Sequence, residues 1–327
     1  MKIFITGISG LIGKWFAERA LKEGHQVCGI DNRKITTHDH LNKYHVLADI
    51  LDYERASEII GKFQPDALVH LAARIDLDGT NLQDYDANIT GVRNICKIVR
   101  ETTSITRAIY TSSQLVCKVG YVPEGDIDYC PNTYYGESKV RTEQIVREED
   151  GGGASWCLVR PTTVWGPYMS AHYERLLRHV KNGTYFHSGR GKLFKSYSYA
   201  GNIAFQYMRL LEAKKHSVQG KVFYMADYEP LSLRDYIDGL ACEIGSRSPV
   251  TVPLPFAKGL ALAGDVLNSI GISFPFTSFR LRNILTEYIF DMSLTEEVCG
   301  PLPYTFEEGV KATAMWFLSK DKAATDY

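Results

Sequence analysis

Hydrophobic residues in the first half of the chain fall into short β-branched runs that alternate with longer segments of helical periodicity. This rhythm is typical of parallel strands joined by crossover helices. The pattern predicts strands over Lys2 to Thr6, Gln26 to Asp31, Tyr44 to Leu47, Ala67 to Leu71, Ala108 to Thr111 and Trp156 to Val159. It predicts helices over Leu11 to Lys22, Tyr53 to Phe63, Tyr85 to Glu101 and Tyr134 to Glu149. The expected fold class is therefore α/β, with a doubly wound parallel sheet.

The pattern changes from Pro167 onward, where helical and loop segments dominate and prolines become frequent. We expect residues 1–166 to form the main domain, with later segments returning to it, and residues 167–327 to form mainly a smaller α/β substrate lobe. Within the first domain, Glu148 to Gly153 combines charge with three consecutive glycines, which predicts a flexible turn rather than a linker.

Composition narrows the class of protein and of partner. The chain has 327 residues, of which 45% are hydrophobic, as in a globular enzyme. Its formal net charge of -1 provides no long-range field toward nucleic acid or an anionic membrane, so we expect a small-molecule partner and no nucleic acid. The 7 cysteines are scattered without a CxxC pair, which predicts neither disulfides nor a metal site. With no secretion signal at the N-terminus, a cytoplasmic location is expected.

The most apolar stretch of the chain is Phe256 to Ile272. Lys258, Asp265 and Asn268 interrupt it, so it predicts an amphipathic helix rather than a membrane span. Such a helix favours an apolar ligand or a contact between subunits.

A glycine-rich segment, Thr6 to Gly13, follows the first strand and opens the first helix. Gly7 permits a tight turn, Gly10 lets the backbone approach a diphosphate, and Gly13 lets the helix lie close to the sheet. The N-terminus of the helix offers amide donors and a favourable dipole to the same anion. A strand before it and a helix after it make this segment a predicted dinucleotide site.

Acidic residues after the next two strands extend this site. Asp31 can hold both hydroxyls of an adenosine ribose and would repel a 2′-phosphate, which favours NAD over NADP. Arg33 could accept such a phosphate, so NADP stays open. Asp49 and Ile50 could contact the adenine, or could equally be a helix-entry acid and a core residue.

A tyrosine and a lysine lie four residues apart in Tyr135-Gly136-Glu137-Ser138-Lys139, on one face of a predicted helix. A neighbouring cation and an oxidised nicotinamide ring favour the phenolate form of Tyr135, which could then act as an acid and a base. Upstream, Ser113 follows a strand and could donate a hydrogen bond to a substrate oxygen, with Ser112 as the alternative.

Several segments together resemble the extended short-chain dehydrogenase/reductase superfamily, in particular its NAD-dependent nucleotide-sugar epimerase, dehydratase and reductase branch. The resemblance lies in Thr6 to Gly13, Asp31, Leu71 to Ala73, Asn88 with Gly91 and Asn94, Ser112 with Ser113, Tyr135 to Lys139, and Arg160 to Pro167. It implies a Rossmann-type fold and a catalytic set of Ser113, Tyr135 and Lys139. In such enzymes the helices over Tyr85 to Glu101 and Tyr134 to Glu149 would build a homodimer contact.

The resemblance also implies which residues contact the cofactor. Leu71 to Ala73 would pass beneath the diphosphate, Lys139 would hold the nicotinamide ribose, Pro161 would lie by the carboxamide, and Asn88 would organise the site. The full set of expected cofactor contacts is Gly7, Ser9, Gly10, Leu11, Ile12, Gly13, Asp31, Asn32, Asp49, Ile50, Leu71, Ala72, Ala73, Asn88, Thr111, Tyr135, Lys139 and Pro161.

Substrate contacts are implied less directly. Lys195 stands where the family usually has an arginine near the substrate diphosphate, and it keeps the charge but loses the bidentate fork. Arg280 and Arg282 resemble a second basic contact. The expected substrate contacts are Ser113, Thr163, Lys195, Arg280 and Arg282.

Two departures bear on the reaction. Gln114 and Leu115 occupy the positions where 4,6-dehydratases carry Asp and Glu, so water elimination is not expected. Tyr199 to Ala204 and the helix Pro253 to Leu267 also resemble the 3β-hydroxysteroid dehydrogenases, whose substrates are apolar. We therefore expect a 4-ketoreductase or 4-epimerase of a nucleotide-diphosphate sugar, with a steroid-type dehydrogenase and a non-catalytic dinucleotide sensor as the alternatives.

Overall fold

The structure is a computed structural model that describes residues 1–35, 39–272, 274 and 276–325. The strands, in chain order, are β1 (Lys2–Thr6), β2 (Gln26–Asp31), β3 (His45–Leu47), β4 (Ala67–His70), β5 (Arg107–Thr111), β6 (Ser155–Pro161), β7 (Thr163–Trp165), β8 (Phe186–Ser188), β9 (Phe194–Lys195), β10 (Tyr197–Tyr199), β11 (Val222–Met225), β12 (Leu231–Ser232) and β13 (Val250–Val252). The α-helices are α1 (Leu11–Lys22), α2 (Tyr53–Phe63), α3 (Asp86–Glu101), α4 (Tyr134–Glu148), α5 (Ala171–Lys181), α6 (Ala200–Glu212), α7 (Lys215–Val218), α8 (Leu233–Ile244), α9 (Leu254–Ser269), α10 (Ser278–Leu285), α11 (Ser293–Cys299) and α12 (Phe306–Thr325).

Seven parallel strands form the central sheet, in the order β11-β6-β5-β4-β1-β2-β3. Its strands are apolar on both faces because helices cover both: Ile3 and Ile5 of β1 face the cluster that contains Phe16, whereas Phe4 faces the cluster that contains Ile95. The direction of strand addition reverses between β1 and β4, the place where such sheets open a ligand cleft at their carboxyl ends. The predicted doubly wound α/β fold is confirmed.

The hydrophobic pattern does not predict two elements, the strand β11 of the central sheet and the helix α6. The strand β11 has four residues, and α6 follows directly after β10. Both come after Pro167, where the chain reads mainly as a separate lobe, although segments returning to the first domain were expected. Their position follows only from the structure, in which β11 pairs with β6 at the edge of the central sheet.

The turn from α4 to β6 is tighter than the predicted flexible turn. Gly151 and Gly152 are buried, and a Cβ atom on Gly151 would lie 2.3 Å from the Trp156 ring. The carbonyl of Gly151 accepts a hydrogen bond from the Tyr110 hydroxyl at 2.9 Å. The glycines are therefore required by close packing and positive φ rather than by mobility.

The chain divides into two compact units. The first comprises Met1–Val164, Ser198–Tyr228 and Phe290–Tyr304 and holds the central sheet. The second comprises Trp165–Tyr197, Glu229–Ile289 and Thr305–Tyr327. In the second unit, β8 pairs with β13 in parallel and β9 pairs with β12 in antiparallel. Among the described residues, no helix combines the length and apolar composition needed to cross a bilayer.

Candidate active site

The loop between β1 and α1 lies against the segment that follows β4. Gly7 has a φ of +76°, and a Cβ atom there would lie 2.7 Å from the Ala72 amide nitrogen. A Cβ atom on Gly13 would lie 2.2 Å from the Gly7 carbonyl oxygen. A side chain at Gly7 would push the loop away from the segment after β4, and a side chain at Gly13 would push α1 away from the loop. The first amides of α1 have no acceptor within the helix, so this loop presents donors of the kind that a diphosphate needs.

Asp31, at the end of β2, faces the same loop. Its carboxylate accepts hydrogen bonds from the Ser9 amide at 3.2 Å and from the Arg33 amide at 3.0 Å. A carboxylate has about four lone-pair positions, so two backbone bonds leave capacity for ribose hydroxyls. The structure thus brings the predicted ribose acceptor beside the predicted diphosphate loop.

The two predicted adenine contacts differ in accessibility. Asp49 accepts the Leu51 amide at 2.9 Å and the Asn32 side-chain amide at 3.4 Å. Ile50 is buried in the core, and a Cβ atom on Gly91 would lie 2.5 Å from its Cδ1 atom. A core role for Ile50 is therefore visible in the structure, while an adenine contact by either residue stays a prediction.

Thr6, the last residue of β1, forms hydrogen bonds with residues at and just after the end of β4. Its hydroxyl is 2.7 Å from Nδ1 of His70 and accepts the Leu71 and Ala72 amides at 3.2 Å each. Burial, with a contribution from the nearby Lys139 charge, lowers the pKa of His70 to about 3. His70 is therefore neutral at physiological pH and acts as a hydrogen-bonding member of the core.

Ser113, Tyr135 and Lys139 come together at the carboxyl end of β5. Thr133 caps α4, because its hydroxyl accepts the Gly136 amide at 3.0 Å, and this cap sets the start of the helix that carries Tyr135 and Lys139. Ser113 lies near the Tyr135 phenol, where hydrogen bonding acts to lower the pKa of that phenol. Lys139 donates from Nζ to the Thr111 carbonyl at 3.0 Å. All three side chains are at least nine-tenths buried.

Burial controls the proton affinity of this group. It raises the pKa of Tyr135 to about 12, against the opposing effect of the Ser113 hydrogen bond. The phenol is therefore protonated at neutral pH in the protein alone, and can donate a proton directly to a ketone that is being reduced. Abstraction of a proton requires a positive charge nearby, which the oxidised cofactor would supply.

Replacing Lys139 by methionine is expected to stabilise the fold at neutral pH. Burial lowers the pKa of Lys139 to about 8 from 10.5, while Glu143 opposes the shift, so enclosing the charged amine costs up to about 3 kcal/mol. Below pH 8 this cost is fully present. Between pH 8 and pH 10.5 the unfolded chain binds more protons than the folded one. The stability of the wild type therefore rises with pH, and the cost of enclosing the charged amine decreases toward zero.

The measurement is the melting temperature of Lys139→Met and of wild type at neutral pH and above pH 10.5. Methionine should melt higher at neutral pH, and the difference should vanish at the higher pH. Lys62→Met is the matched control, since Lys62 is exposed on α2 and should show no pH-dependent difference. Equal melting temperatures at neutral pH would contradict the expectation.

Asn88 joins α3, α4 and the segment after β4. Its side chain accepts the Arg74 amide at 2.8 Å and donates to the Arg74 carbonyl at 3.0 Å and to the Ser138 hydroxyl at 2.9 Å. Ser138 in turn donates to the Tyr135 carbonyl at 2.7 Å. Both the oxygen and the nitrogen of the Asn88 side chain are hydrogen-bonded, and these bonds fix the position of α4 relative to the segment after β4. This agrees with the expectation that Asn88 organises the site.

A buried ion pair behind the site was not predicted as functional. Arg160 of β6 and Glu143 of α4 are both fully buried and form two hydrogen bonds of 2.8 Å. Glu143 follows Lys139 by four residues, so Tyr135, Lys139 and Glu143 share one face of α4. The spacing Tyr-x₃-Lys-x₃-Glu was the available signal. This ion pair connects α4 to β6 about one helical turn after Lys139.

The remaining predicted residues divide between the units. Pro161 is the last residue of β6 and Thr163 is the first residue of β7, and both belong to the first unit. Lys195, Arg280 and Arg282 belong to the second unit, where Lys195 donates from Nζ to the Asn283 carbonyl. Burial lowers the pKa of Lys195. Arg280 and Arg282 are exposed on α10. A role for any of these five in holding ligand stays a prediction.

The chain matches the sequence profile of the NAD dependent epimerase/dehydratase family over residues 3–226. It is 24% identical over 324 residues to N-acetyl-alpha-D-glucosaminyl-diphospho-ditrans,octacis-undecaprenol 4-epimerase of Escherichia coli O157:H7, covering 96% of this chain and 94% of that protein. It is 25% identical over 264 residues to a 3-beta-hydroxysteroid dehydrogenase of Mycolicibacterium neoaurum, covering 76% of this chain and 71% of the relative.

Among solved structures, the fold is similar to UDP-glucuronic acid 4-epimerase from Bacillus cereus in complex with NAD. The two share 20% sequence identity with a TM-score of 0.73, and the match covers 97% of this chain and 96% of the other. At this identity the likeness bears on the fold.

Proposed function

This chain belongs to the NAD dependent epimerase/dehydratase family, and on that basis we propose that it is a 4-epimerase or 4-ketoreductase of a sugar carried on a diphosphate. The observation that carries the proposal is the buried Tyr135 phenol, which lies near Ser113 and shares a face of α4 with the buried Lys139. The enzyme uses NAD, whose diphosphate and ribose would be held by the Gly7 to Gly13 loop and by Asp31. When bound, NAD supplies the acceptor or donor of a hydride.

The residues of this chain move the proton. Tyr135 takes the proton of the substrate hydroxyl as the carbinol is oxidised and returns it when the ketone is reduced. Ser113 donates a hydrogen bond to the same oxygen as negative charge develops there. Lys139 holds the nicotinamide ribose and keeps a positive charge near the phenol. Epimerisation requires that the keto sugar turn over before it is reduced from the other face.

The two positions that supply the acid and the base of 4,6-dehydration in related enzymes hold neither group in this chain. Elimination of water needs an acid and a base after the catalytic serine, and the residues there are Gln114 and Leu115, in a short 3₁₀ turn. An amide and an aliphatic side chain exchange no protons near neutral pH. Reversible hydride transfer at one carbon is the chemistry that remains for Tyr135.

The diphosphate requirement rests on Lys195, Arg280 and Arg282 as basic contacts in the second unit, and on the Escherichia coli relative, whose substrate is a sugar diphosphate. A nucleoside and a polyprenol can both carry such a sugar, and the shared group is the sugar diphosphate. The apolar alternative draws on the Mycolicibacterium neoaurum relative.

The test incubates the purified enzyme and NAD with UDP-hexoses, a polyprenyl-diphosphate sugar and a 3β-hydroxysteroid, and the enzyme and NADH with 4-keto-6-deoxy sugar nucleotides. Absorbance of the reduced cofactor is followed together with product analysis. An epimer formed without net cofactor consumption identifies an epimerase, and net consumption of reduced cofactor on a keto sugar identifies a ketoreductase. Turnover of the steroid alone, or of no compound in the panel, would overturn the proposal.

A further inference from the structure

Helix α9 of the second unit buries its small residues and exposes its large ones. Ala257, Ala261 and Gly264 face inward, where they pack with Leu281 and with partly buried Phe276. The opposite side carries large apolar side chains, which we call the outer face of α9: Phe256, Leu260, Leu262, Val266 and Ile270. An ordinary surface helix shows the reverse arrangement, with its large apolar residues toward the core.

The outer face cannot be buried by a rotation of the helix. A Cβ atom on Gly264 would lie 2.0 Å from the Phe276 carbonyl oxygen, so only glycine allows α9 to pack at this depth. Asp265 adds a second constraint, because its carboxylate accepts the Ser278 amide at 3.1 Å. Phe256, Leu262, Val266 and Ile270 therefore stay 62–74% exposed.

The segment that contains the outer face carries mostly positive charges. Residues 250–285 contain Lys258, Arg280 and Arg282 but a single acid, Asp265, whose carboxylate is engaged with α10. Helix α10 packs alongside α9 through Leu281 and presents Phe279, which is 58% exposed, next to its two arginines. Large apolar side chains with basic neighbours are the composition of segments that lie in a membrane interface.

We propose that the outer face of α9 docks on the surface of an anionic phospholipid bilayer, with the helix lying in the plane of the interface. A helix of 16 residues is about 24 Å long, which suits a position in the interface better than a span. Lys258, Arg280 and Arg282 would contact lipid phosphates while the apolar side chains enter the acyl boundary. The net charge of -1 on the whole chain conceals this local excess of positive charge.

A second copy of the chain is the competing occupant of this face. A twofold contact through α9 would set the same patch against itself, and the three basic residues would repel one another at its edge. Acidic headgroups have the opposite sign, which is why charge favours the bilayer.

The test is sedimentation of the full-length protein with phosphatidylcholine vesicles and with vesicles that also contain phosphatidylglycerol, without cofactor or substrate. Three basic residues at the surface should make binding to the neutral vesicles about 100-fold weaker. Leu262→Glu combined with Val266→Glu should weaken binding to the anionic vesicles at least about tenfold. Met315→Glu is the matched control, because Met315 is a 62% exposed apolar residue of the same unit, on α12.

Phe256→Trp provides a direct probe of insertion. Its added fluorescence should shift to shorter wavelength on anionic vesicles and be quenched by lipids with brominated acyl chains. Unchanged fluorescence, equal binding to both vesicle types, or a lipid-free dimer that Leu262→Glu with Val266→Glu converts to monomers would each overturn the proposal. Since no substrate is present, this outcome is independent of whether the proposed reaction is correct.

Discussion

Tyr135→Phe is expected to lower kcat by roughly 10³-fold while NAD binding remains close to wild type. Phenylalanine keeps the ring that lies 6.0 Å from the Tyr85 ring, so the local packing is retained. It lacks the hydroxyl that lies near Ser113 and that, in the proposed mechanism, exchanges the proton. We expect cofactor binding to depend mainly on the glycine loop and Asp31 rather than on the Tyr135 hydroxyl.

The measurement pairs turnover on the sugar identified in the substrate panel with titration of the reduced cofactor by fluorescence. Tyr134→Phe is the control, because Tyr134 is the preceding residue of α4 and is 46% exposed. It should leave both quantities unchanged. Full turnover by the Tyr135 variant would remove the phenol from the mechanism.

Glu143→Gln is expected to destabilise the protein by about 3–5 kcal/mol, which lowers the melting temperature by roughly 10 °C. Glutamine is nearly the same size, but it leaves the fully buried Arg160 guanidinium without a counter-charge. The remaining partners of Arg160 are the Tyr224 hydroxyl at 3.0 Å and the Asp126 carbonyl at 2.6 Å, and both are neutral.

Two further variants make this result specific. Glu149→Gln breaks an exposed pair with Arg100 and should leave the melting temperature unchanged, since solvent screens that pair. Combining Glu143→Met with Arg160→Met removes both charges and should recover most of the lost stability. A Glu143→Gln protein that melts at the wild-type temperature would show that Arg160 is neutralised in another way.

The arrangement of the predicted cofactor residues could be anticipated from the sequence because each motif is local. Gly7 to Gly13 lies between β1 and α1, and Asp31 ends β2, so each motif is defined by the strand it follows. Parallel strands bring these ends to one edge of the sheet, and the hydrogen bond from the Ser9 amide to Asp31 shows the result. Tyr135 and Lys139 are likewise neighbours on one turn of α4.

The buried ion pair behind the site was not predicted. Glu143 and Arg160 lie on different elements, and the spacing that places Glu143 on the face of Tyr135 and Lys139 does not identify Arg160 as its buried partner. The raised pKa of Tyr135 and the lowered pKa of Lys139 also depend on burial, which no motif reports. Sequence reasoning assigned the tyrosine its role, but its proton affinity follows from the surrounding packing.

The apolar stretch near Phe256 shows the same division most clearly. Periodicity and charge were sufficient to predict a helix, because helical geometry depends on residues three and four positions apart. Which side of that helix faces the protein depends on contacts with Phe276 and Leu281, and these contacts exist only in the folded chain. Local spacing thus determines which element forms and which chemical groups it carries. Burial, charge pairing and the choice of exposed face depend on contacts between different elements of the folded chain.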